Sequence, residues 1–182
     1  NVLFSSTLDG AQDLTLTAGT GDITFTGIVG GTARLGAITI ESAKDVTANA
    51  ITAASLTQKL GSGTTTLNGA IDTNTSTGVS LIGTNLVVND GITTTAAGTV
   101  TINQSGTATL AAAGDIIADG VVSITAAGGI STAGDITTTN DNVTFASATT
   151  MTGQVEIDKG AGAGNVLFSS TLDGAQDLTL TA

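Results

Sequence analysis

The sequence predicts an all-β protein built as a parallel β-helix (β-solenoid), and three observations favour this fold. Thr, Ala, Gly and Ser dominate the 182 residues, with Ile, Leu and Val spaced among them. Short apolar pairs alternate with polar residues along the chain, as in half-buried strands. The aromatic residues are four Phe. Small and β-branched side chains suit the narrow interior of stacked coils, whereas antiparallel sandwiches usually have aromatic cores.

The individual strands are predicted from the apolar pairs, because each pair turns one side of a strand inward. Asp or Asn precedes several pairs, and its side chain is expected to set a turn by bonding its own backbone two residues on. Ala-rich pieces such as residues 110–114 are too short to form helices. The pairs are Val2/Phe4, Leu14/Leu16, Ile23/Phe25, Ile38/Ile40, Val79/Leu81, Leu86/Val88, Val100/Ile102, Val122/Ile124, Val143/Phe145 and Val155/Ile157.

An exact internal repeat defines the domain organisation. Residues 1–18 read NVLFSSTLDGAQDLTLTA, and residues 165–182 read the same letters at an offset of 164. The sequence therefore predicts one complete solenoid unit over residues 1–164 and the start of the next identical unit over residues 165–182. Coils of roughly 20 to 23 residues would divide the unit into about seven or eight. Eight coils would be about 38 Å long at about 4.8 Å per coil.

Two further features concern the end coils of the solenoid and the direction in which the strands pair. Neither copy of the repeated segment resembles the polar cap that a terminal coil needs, so the chain is expected to continue at both ends. Four dipeptides typical of hairpins favour the alternative of an antiparallel array. They are Asp9-Gly10, Asn68-Gly69, Asp90-Gly91 and Asp119-Gly120.

Composition excludes several classes of chemistry. Without His or Cys, the chain cannot form a nucleophilic triad or a typical zinc or copper site. A net charge of −11 argues against nucleic acid as a partner, and the absence of an apolar run of about 18 residues argues against a membrane span. The Gly-rich residues 27–31 lack the Lys-Ser/Thr of a phosphate-binding loop, and residues 160–164 are interpreted as a loose turn.

Paired carboxylates are the remaining catalytic device. A glycosidase needs two carboxyl groups about 5–10 Å apart in one groove. Asp115 and Asp135, roughly one coil apart, are the best pair, and Asp119 is nearby. The chain lacks an aromatic platform for sugar rings, and each Asp is also explained as a turn residue. The sequence therefore predicts no enzyme and assigns no catalytic, cofactor-binding or metal-binding residues.

The sequence also contains patterns that suit two other ligands, calcium and ice. Residues 89–90 and 140–142 gather oxygen ligands that suit Ca²⁺, although the glycine-rich nonapeptide of calcium-binding β-rolls is missing. Thr pairs two residues apart resemble those of ice-binding solenoids, but their spacing is irregular. The pairs are Thr15/Thr17, Thr24/Thr26, Thr93/Thr95, Thr99/Thr101, Thr107/Thr109 and Thr137/Thr139. Glycosylation acceptor patterns begin at Asn74, Asn103 and Asn142.

The phrases Gly21-Asp22-Ile23-Thr24 and Gly134-Asp135-Ile136-Thr137, with the Thr/Ala/Gly bias and the lack of Cys, resemble filamentous-haemagglutinin-type and other giant bacterial repeat adhesins. The resemblance covers essentially the whole chain. It implies a right-handed parallel β-helix, secretion to the cell surface, and a role in adhesion, aggregation or sheath formation. We expect an extracellular rod whose partners are its own units, joined end to end, and surface glycans or other cells. A carbohydrate-active β-helix enzyme and an ice-binding solenoid are the alternatives.

Overall fold

The computed structural model describes residues 1–181, and within that range all regular structure is β-strand. Most strands are short because they span only one side of a coil, whereas the eight-residue strand Ile51–Gln58 spans two. They are β1 (Val2–Phe4), β2 (Leu14–Thr17), β3 (Ile23–Phe25), β4 (Leu35–Ser42), β5 (Val46–Ala48), β6 (Ile51–Gln58), β7 (Thr64–Leu67), β8 (Ile71–Thr73), β9 (Val79–Gly83), β10 (Asn85–Val88), β11 (Ile92–Thr94), β12 (Val100–Gln104), β13 (Ala108–Leu110), β14 (Ile116–Ala118), β15 (Val122–Ala126), β16 (Ile130–Thr132), β17 (Ile136–Thr138), β18 (Val143–Phe145), β19 (Thr149–Met151), β20 (Val155–Asp158), β21 (Val166–Phe168), β22 (Leu172–Asp173) and β23 (Leu178–Thr181).

The strands form three parallel ladders, which we call faces 1, 2 and 3. Face 1 is a nine-stranded sheet of β1, β3, β5, β7, β10, β13, β16, β19 and β22, with one strand in each of nine coils. Face 2 contains the first half of β6 with β8, β11, β14, β17, β20 and β23. Face 3 contains β2, β4 and the second half of β6 with β9, β12, β15, β18 and β21.

Strand β6 turns the corner between faces 2 and 3. Its residues 51–53 pair with β8, and its residues 56–58 pair with β9. Parallel bridges from Leu8 to Val29 and from Val29 to Ile51 extend face 2 back to the first coil. Each coil therefore passes through faces 1, 2 and 3 in that order, and the next coil stacks on it.

The core is a stack of inward side chains in register from coil to coil. On face 2 the column is nearly pure Ile, and on face 3 it is mostly Val. Burying one such side chain stabilises the fold by about 1.5–3 kcal/mol. The face 2 column is Ile51, Ile71, Ile92, Ile116, Ile136 and Ile157, and the face 3 column is Leu14, Ile38, Leu56, Val79, Val100, Val122, Val143 and Val166.

Aromatic and polar side chains fill the remaining interior positions. The rings of Phe4 and Phe25 stack with centroids 5.0 Å apart, and those of Phe145 and Phe168 with centroids 4.8 Å apart. Two buried polar groups have partners inside: the Thr65 hydroxyl donates to Gln58 Oε1 at 2.8 Å, and Gln104 Nε2 donates to the Leu81 carbonyl at 2.8 Å, although Gln104 Oε1 has no partner among residues 1–181. Such bonds offset the cost of burying these groups.

The structure confirms the parallel β-solenoid and places all ten predicted apolar pairs in strands. The antiparallel alternative is wrong within residues 1–181, because every strand pairing there is parallel. The four hairpin-type dipeptides lie at corners between successive strands of a coil instead. The same residue types favour a hairpin turn and a solenoid corner, so the dipeptides alone could not distinguish an antiparallel array from a parallel solenoid.

Candidate functional site on the outward faces

Two of the three faces carry a single file of hydroxyl groups along their outward midline. Because strand residues alternate in direction, the residue between two buried ones points outward. On face 3 this column is Thr15, Thr39, Thr57, Ser80, Thr101, Ser123 and Thr144, followed by Leu167. On face 1 the hydroxyl file is interrupted by Val87, and the column is Leu3, Thr24, Thr47, Thr66, Val87, Thr109, Ser131, Thr150 and Asp173.

Face 2 has a mixed outward column. It is Thr52, Asp72, Thr93, Ile117, Thr137, Asp158 and Thr181. Ile117 is 53% exposed, which leaves an apolar side chain among hydroxyls and carboxylates. The three faces therefore differ chemically, and one unit presents a different surface in each direction.

The Thr pairs that suggested ice binding do not form a regular two-column array. On face 1, Thr26 lies beside Thr24, but in the following coils the same place is taken by Asn49, Asn68 and Asn89. These Asn residues bond along the axis, for example from Asn89 Nδ2 to Asn68 Oδ1 at 2.9 Å. The hydroxyl column is thus single, whereas a flat ice-binding face needs a pair on each coil.

Asp and Asn side chains before the strands link neighbouring coils. Asp13 Oδ1 accepts the N–H of Ala37 at 2.7 Å, and Asp45 Oδ1 accepts that of Thr64 at 2.7 Å. The same bond runs from Asn165 to Asn142 Oδ1 at 2.8 Å. The expectation that these residues bond their own backbone two residues on is therefore wrong for these positions. The offset of 19 to 24 residues places the partner in the next coil, where a local sequence pattern could not reveal it.

The carboxylates considered for glycoside hydrolysis belong to this same system. Asp115 and Asp135 do lie one coil apart, and Asp115 Oδ1 accepts the N–H of Asp135 at 2.8 Å. Asp135 Oδ1 in turn accepts the N–H of Glu156 at 2.6 Å. The two side chains therefore follow one another in a ladder along the axis, each bonded to the backbone of the coil above.

Asp119 has a related role at a strained turn. Ala96 and Ala97 both adopt the left-handed conformation, with φ values of 56° and 58°, which costs about 1–2 kcal/mol per residue. Asp119 Oδ2 accepts the N–H of Ala97 at 2.8 Å, and its Oδ1 accepts the hydroxyl of Thr139 at 2.7 Å. The bond from Ala97, then that from Thr139, lowers the pKa of Asp119 below its usual value. A glycosidase acid requires a raised pKa, so this shift has the opposite direction.

Two other carboxylates are perturbed in the same direction by the same cause. Bonds from the N–H groups of Thr32 and Ala33 lower the pKa of Asp9. The bond from Thr64 N–H, followed by the one from Lys44, lowers the pKa of Asp45. In each case a hydrogen bond to the charged form favours ionisation.

The oxygen-rich clusters that suit calcium are likewise occupied by local bonds. Asp90 Oδ1 accepts the N–H of Gly91 at 2.8 Å, and Asn140 occupies a left-handed turn with φ of 77°. Among residues 1–181, no group of three or more Asp or Glu side chains lies close enough together to hold a metal ion. The three glycosylation acceptors, Asn74, Asn103 and Asn142, are exposed.

The glycine-rich segment 160–164 wraps a lysine. Lys159 is 7% exposed, and its Nζ donates to the carbonyls of Gly160 at 3.0 Å and Gly162 at 2.8 Å. Carbonyl oxygens of the segment therefore face a cation, whereas a phosphate cradle presents N–H groups. The sequence interpretation of this segment as a turn missed the ammonium group that organises it.

In the described part of the chain, no helix is long and apolar enough to cross a membrane. Comparisons with protein-family models, with curated proteins and with solved structures find no match to this chain. The coil geometry establishes the parallel β-solenoid, whereas the resemblance to bacterial repeat adhesins rests on the sequence phrases and the composition.

Proposed function

We propose that the chain is a segment of an extracellular structural rod, built from tandem 164-residue units, that serves adhesion or sheath formation at the cell surface. One observation carries the proposal: the two copies of the repeated segment display the two opposite edges of the same coil. Each copy pairs with a different neighbour, and the two sets of pairings are compatible.

The first copy pairs with the coil that follows it. Val2 pairs with Ile23 and Leu14 pairs with Ile38, while Leu8 bridges to Val29. All three sides of the coil formed by residues 1–18 thus have a partner on one edge.

The second copy pairs with the coil that precedes it. Val166, Leu172 and Leu178 are the counterparts of Val2, Leu8 and Leu14. They pair with Val143, Thr149 and Val155, respectively. When the copies are taken as one coil, each of its three sides has a partner both below and above.

The aromatic stacks of the two copies are also compatible with one continuous coil. Phe4 stacks on Phe25 with an interplanar angle of 6°, and its counterpart Phe168 stacks on Phe145 with an angle of 10°. A junction between units would therefore hold three stacked rings in one column. Stacked rings add about 0.5–1.5 kcal/mol per pair beyond their buried area.

A rod of such units has physical properties that suit a surface filament. Pairing through each junction leaves no open strand edge between units, which removes sites of misassembly. Backbone hydrogen bonds run along the axis and resist extension. The net charge of −11 per 182 residues keeps parallel rods apart. The outward hydroxyl columns offer hydrogen-bonding groups to glycans or to neighbouring cells.

Immunogold electron microscopy of intact producing cells tests the proposed location and form. Antibodies against residues 1–181 should label filaments or a sheath outside unpermeabilised cells. An antibody against a cytoplasmic protein serves as the control for cell integrity. Labelling that appears only after permeabilisation would contradict a role at the cell surface.

A further inference from the structure

The two copies of the repeated segment lie on different sides of the solenoid. Val2 is on face 1 of the first coil, whereas its counterpart Val166 is on face 3 of the eighth coil. Leu172 is on face 1, although its counterpart Leu8 is on face 2. Leu178 is on face 2, although its counterpart Leu14 is on face 3.

All three comparisons give the same displacement. The second copy lies seven complete coils and two further faces beyond the first copy. The 164 residues between them therefore make seven and two-thirds turns. The register of the strands fixes this value, because Thr144 pairs with Leu167 on face 3 while Thr150 pairs with Asp173 on face 1. A whole number of turns would have placed Leu167 in the column of Leu3 and Thr150.

We infer that consecutive units of the rod are rotated by one third of a turn, so that the rod has three-fold screw symmetry and presents every face of the unit in three directions. The inference rests on the proposed rod of tandem units. Each unit would rise about 37 Å, and every third unit would return to the same orientation after about 23 coils, or about 110 Å.

The rotation changes what a partner meets on one side of the rod. Face 3 of one unit is followed by face 1 of the next, and then by face 2 of the third. The hydroxyl column of face 3 therefore continues, through Leu167, into the hydroxyl column of the next face 1. A patch on any face is therefore offered in three directions around the rod, and on any one side it recurs once in every three units.

Spin labels on this chain test the rotation directly, because the chain has no Cys of its own. Nitroxides on Thr144→Cys/Leu167→Cys would sit on adjacent strands about 5 Å apart and show a strongly exchange-broadened spectrum. Nitroxides on Thr150→Cys/Leu167→Cys would lie on different faces and lack this broadening. Leu3→Cys/Thr24→Cys, an adjacent pair on face 1, is the positive control.

Each outcome decides the question. Broadening in the 144/167 pair and not in the 150/167 pair supports a rotation of one third of a turn. Broadening in the 150/167 pair would overturn it, because the unit would then contain a whole number of turns, although a rod could still form. If only the control pair broadens, the second copy does not stack on the coil below, and both the rotation and the tandem rod fail.

Discussion

At the residue scale, polar side chains in this solenoid act mainly between coils. Asp13, Asp45 and Asn142 each accept a backbone N–H from the next coil, and Asp119 holds the strained turn at Ala97. The bonds to the carboxylates among them are roughly twice as strong as bonds to neutral acceptors. The acidic residues therefore contribute both solubility and axial cohesion.

These bonds predict acid sensitivity. The pKa values of Asp9, Asp45 and Asp119 are lowered in the folded chain. A lowered folded pKa stabilises the fold above the unfolded value, about 3.9, and the stabilisation is lost as the pH falls through the folded values. Urea unfolding midpoints should stay level from about pH 5 to 8 and fall below about pH 4.

Asn at these three positions should flatten that dependence, because an amide oxygen still accepts the N–H but does not titrate there. Asp177→Asn, which removes an exposed carboxylate elsewhere, is the matched control. Equal acid sensitivity in the triple variant and in the control would contradict this role for the three carboxylates.

Lys159 gives a second prediction at this scale. Lys159→Ala removes the ammonium that binds the carbonyls of Gly160 and Gly162, and should lower the free energy of unfolding by about 1–3 kcal/mol. Lys44→Ala is the control, because that side chain is exposed and its ion pair is with its neighbour Asp45 at the surface. Its effect should stay within about 0.5–1 kcal/mol. Equal effects in chemical denaturation would show that the Lys159 contacts add nothing.

At the element scale, the apolar pairs predicted ten of the 23 strands, but they could not predict the face on which each strand lies. The alternation of inward and outward side chains, as at Val100/Ile102, is a local property of the strand and is the same in any β architecture. The face on which a strand lies depends on the path of the whole coil. Val2–Phe4 and Val166–Phe168 prove this, because identical residues lie on face 1 in one copy and on face 3 in the other.

The inter-coil role of the Asp residues escaped prediction for a similar reason. The phrase around Asp45 shows an acidic residue before a strand, which also describes a local turn. Its acceptor bond goes to Thr64, 19 residues away, and that distance varies from coil to coil. By contrast, the one-coil spacing of Asp115 and Asp135 was predicted, although the bond between them was not.

Glycines at the corners allow close approach of successive coils, and two of them form a matched test. Gly78 has φ of +60°, and a Cβ there would collide with the carbonyl oxygen of Thr99 in the next coil. Gly78→Ala should therefore destabilise the chain by about 1–3 kcal/mol. A Cβ on Gly91 would meet nothing closer than the Asp115 carbonyl oxygen at 3.7 Å, so Gly91→Ala should change stability by at most about 0.5 kcal/mol. Similar unfolding midpoints for the two variants would contradict the observed corner packing.

At the scale of the whole molecule, stability should resemble that of a linear repeat protein, in which each coil contacts only the coils beside it. In the proposed rod, length comes from repetition, and the junction between units continues the strand pairing of Val166 and the ring stack of Phe145 and Phe168. The unequal faces and the fractional number of turns per unit would give the proposed rod a surface that changes direction from unit to unit.

Cryo-electron microscopy of native filaments, with the power spectrum taken along their axis, tests the continuous tandem solenoid most directly. The structure predicts a thin rod with an axial reflection near about 4.8 Å, a unit rise of about 37 Å, and a full repeat of about 110 Å. Separate particles, or beads on a string without the axial reflection, would contradict a continuous solenoid of stacked units.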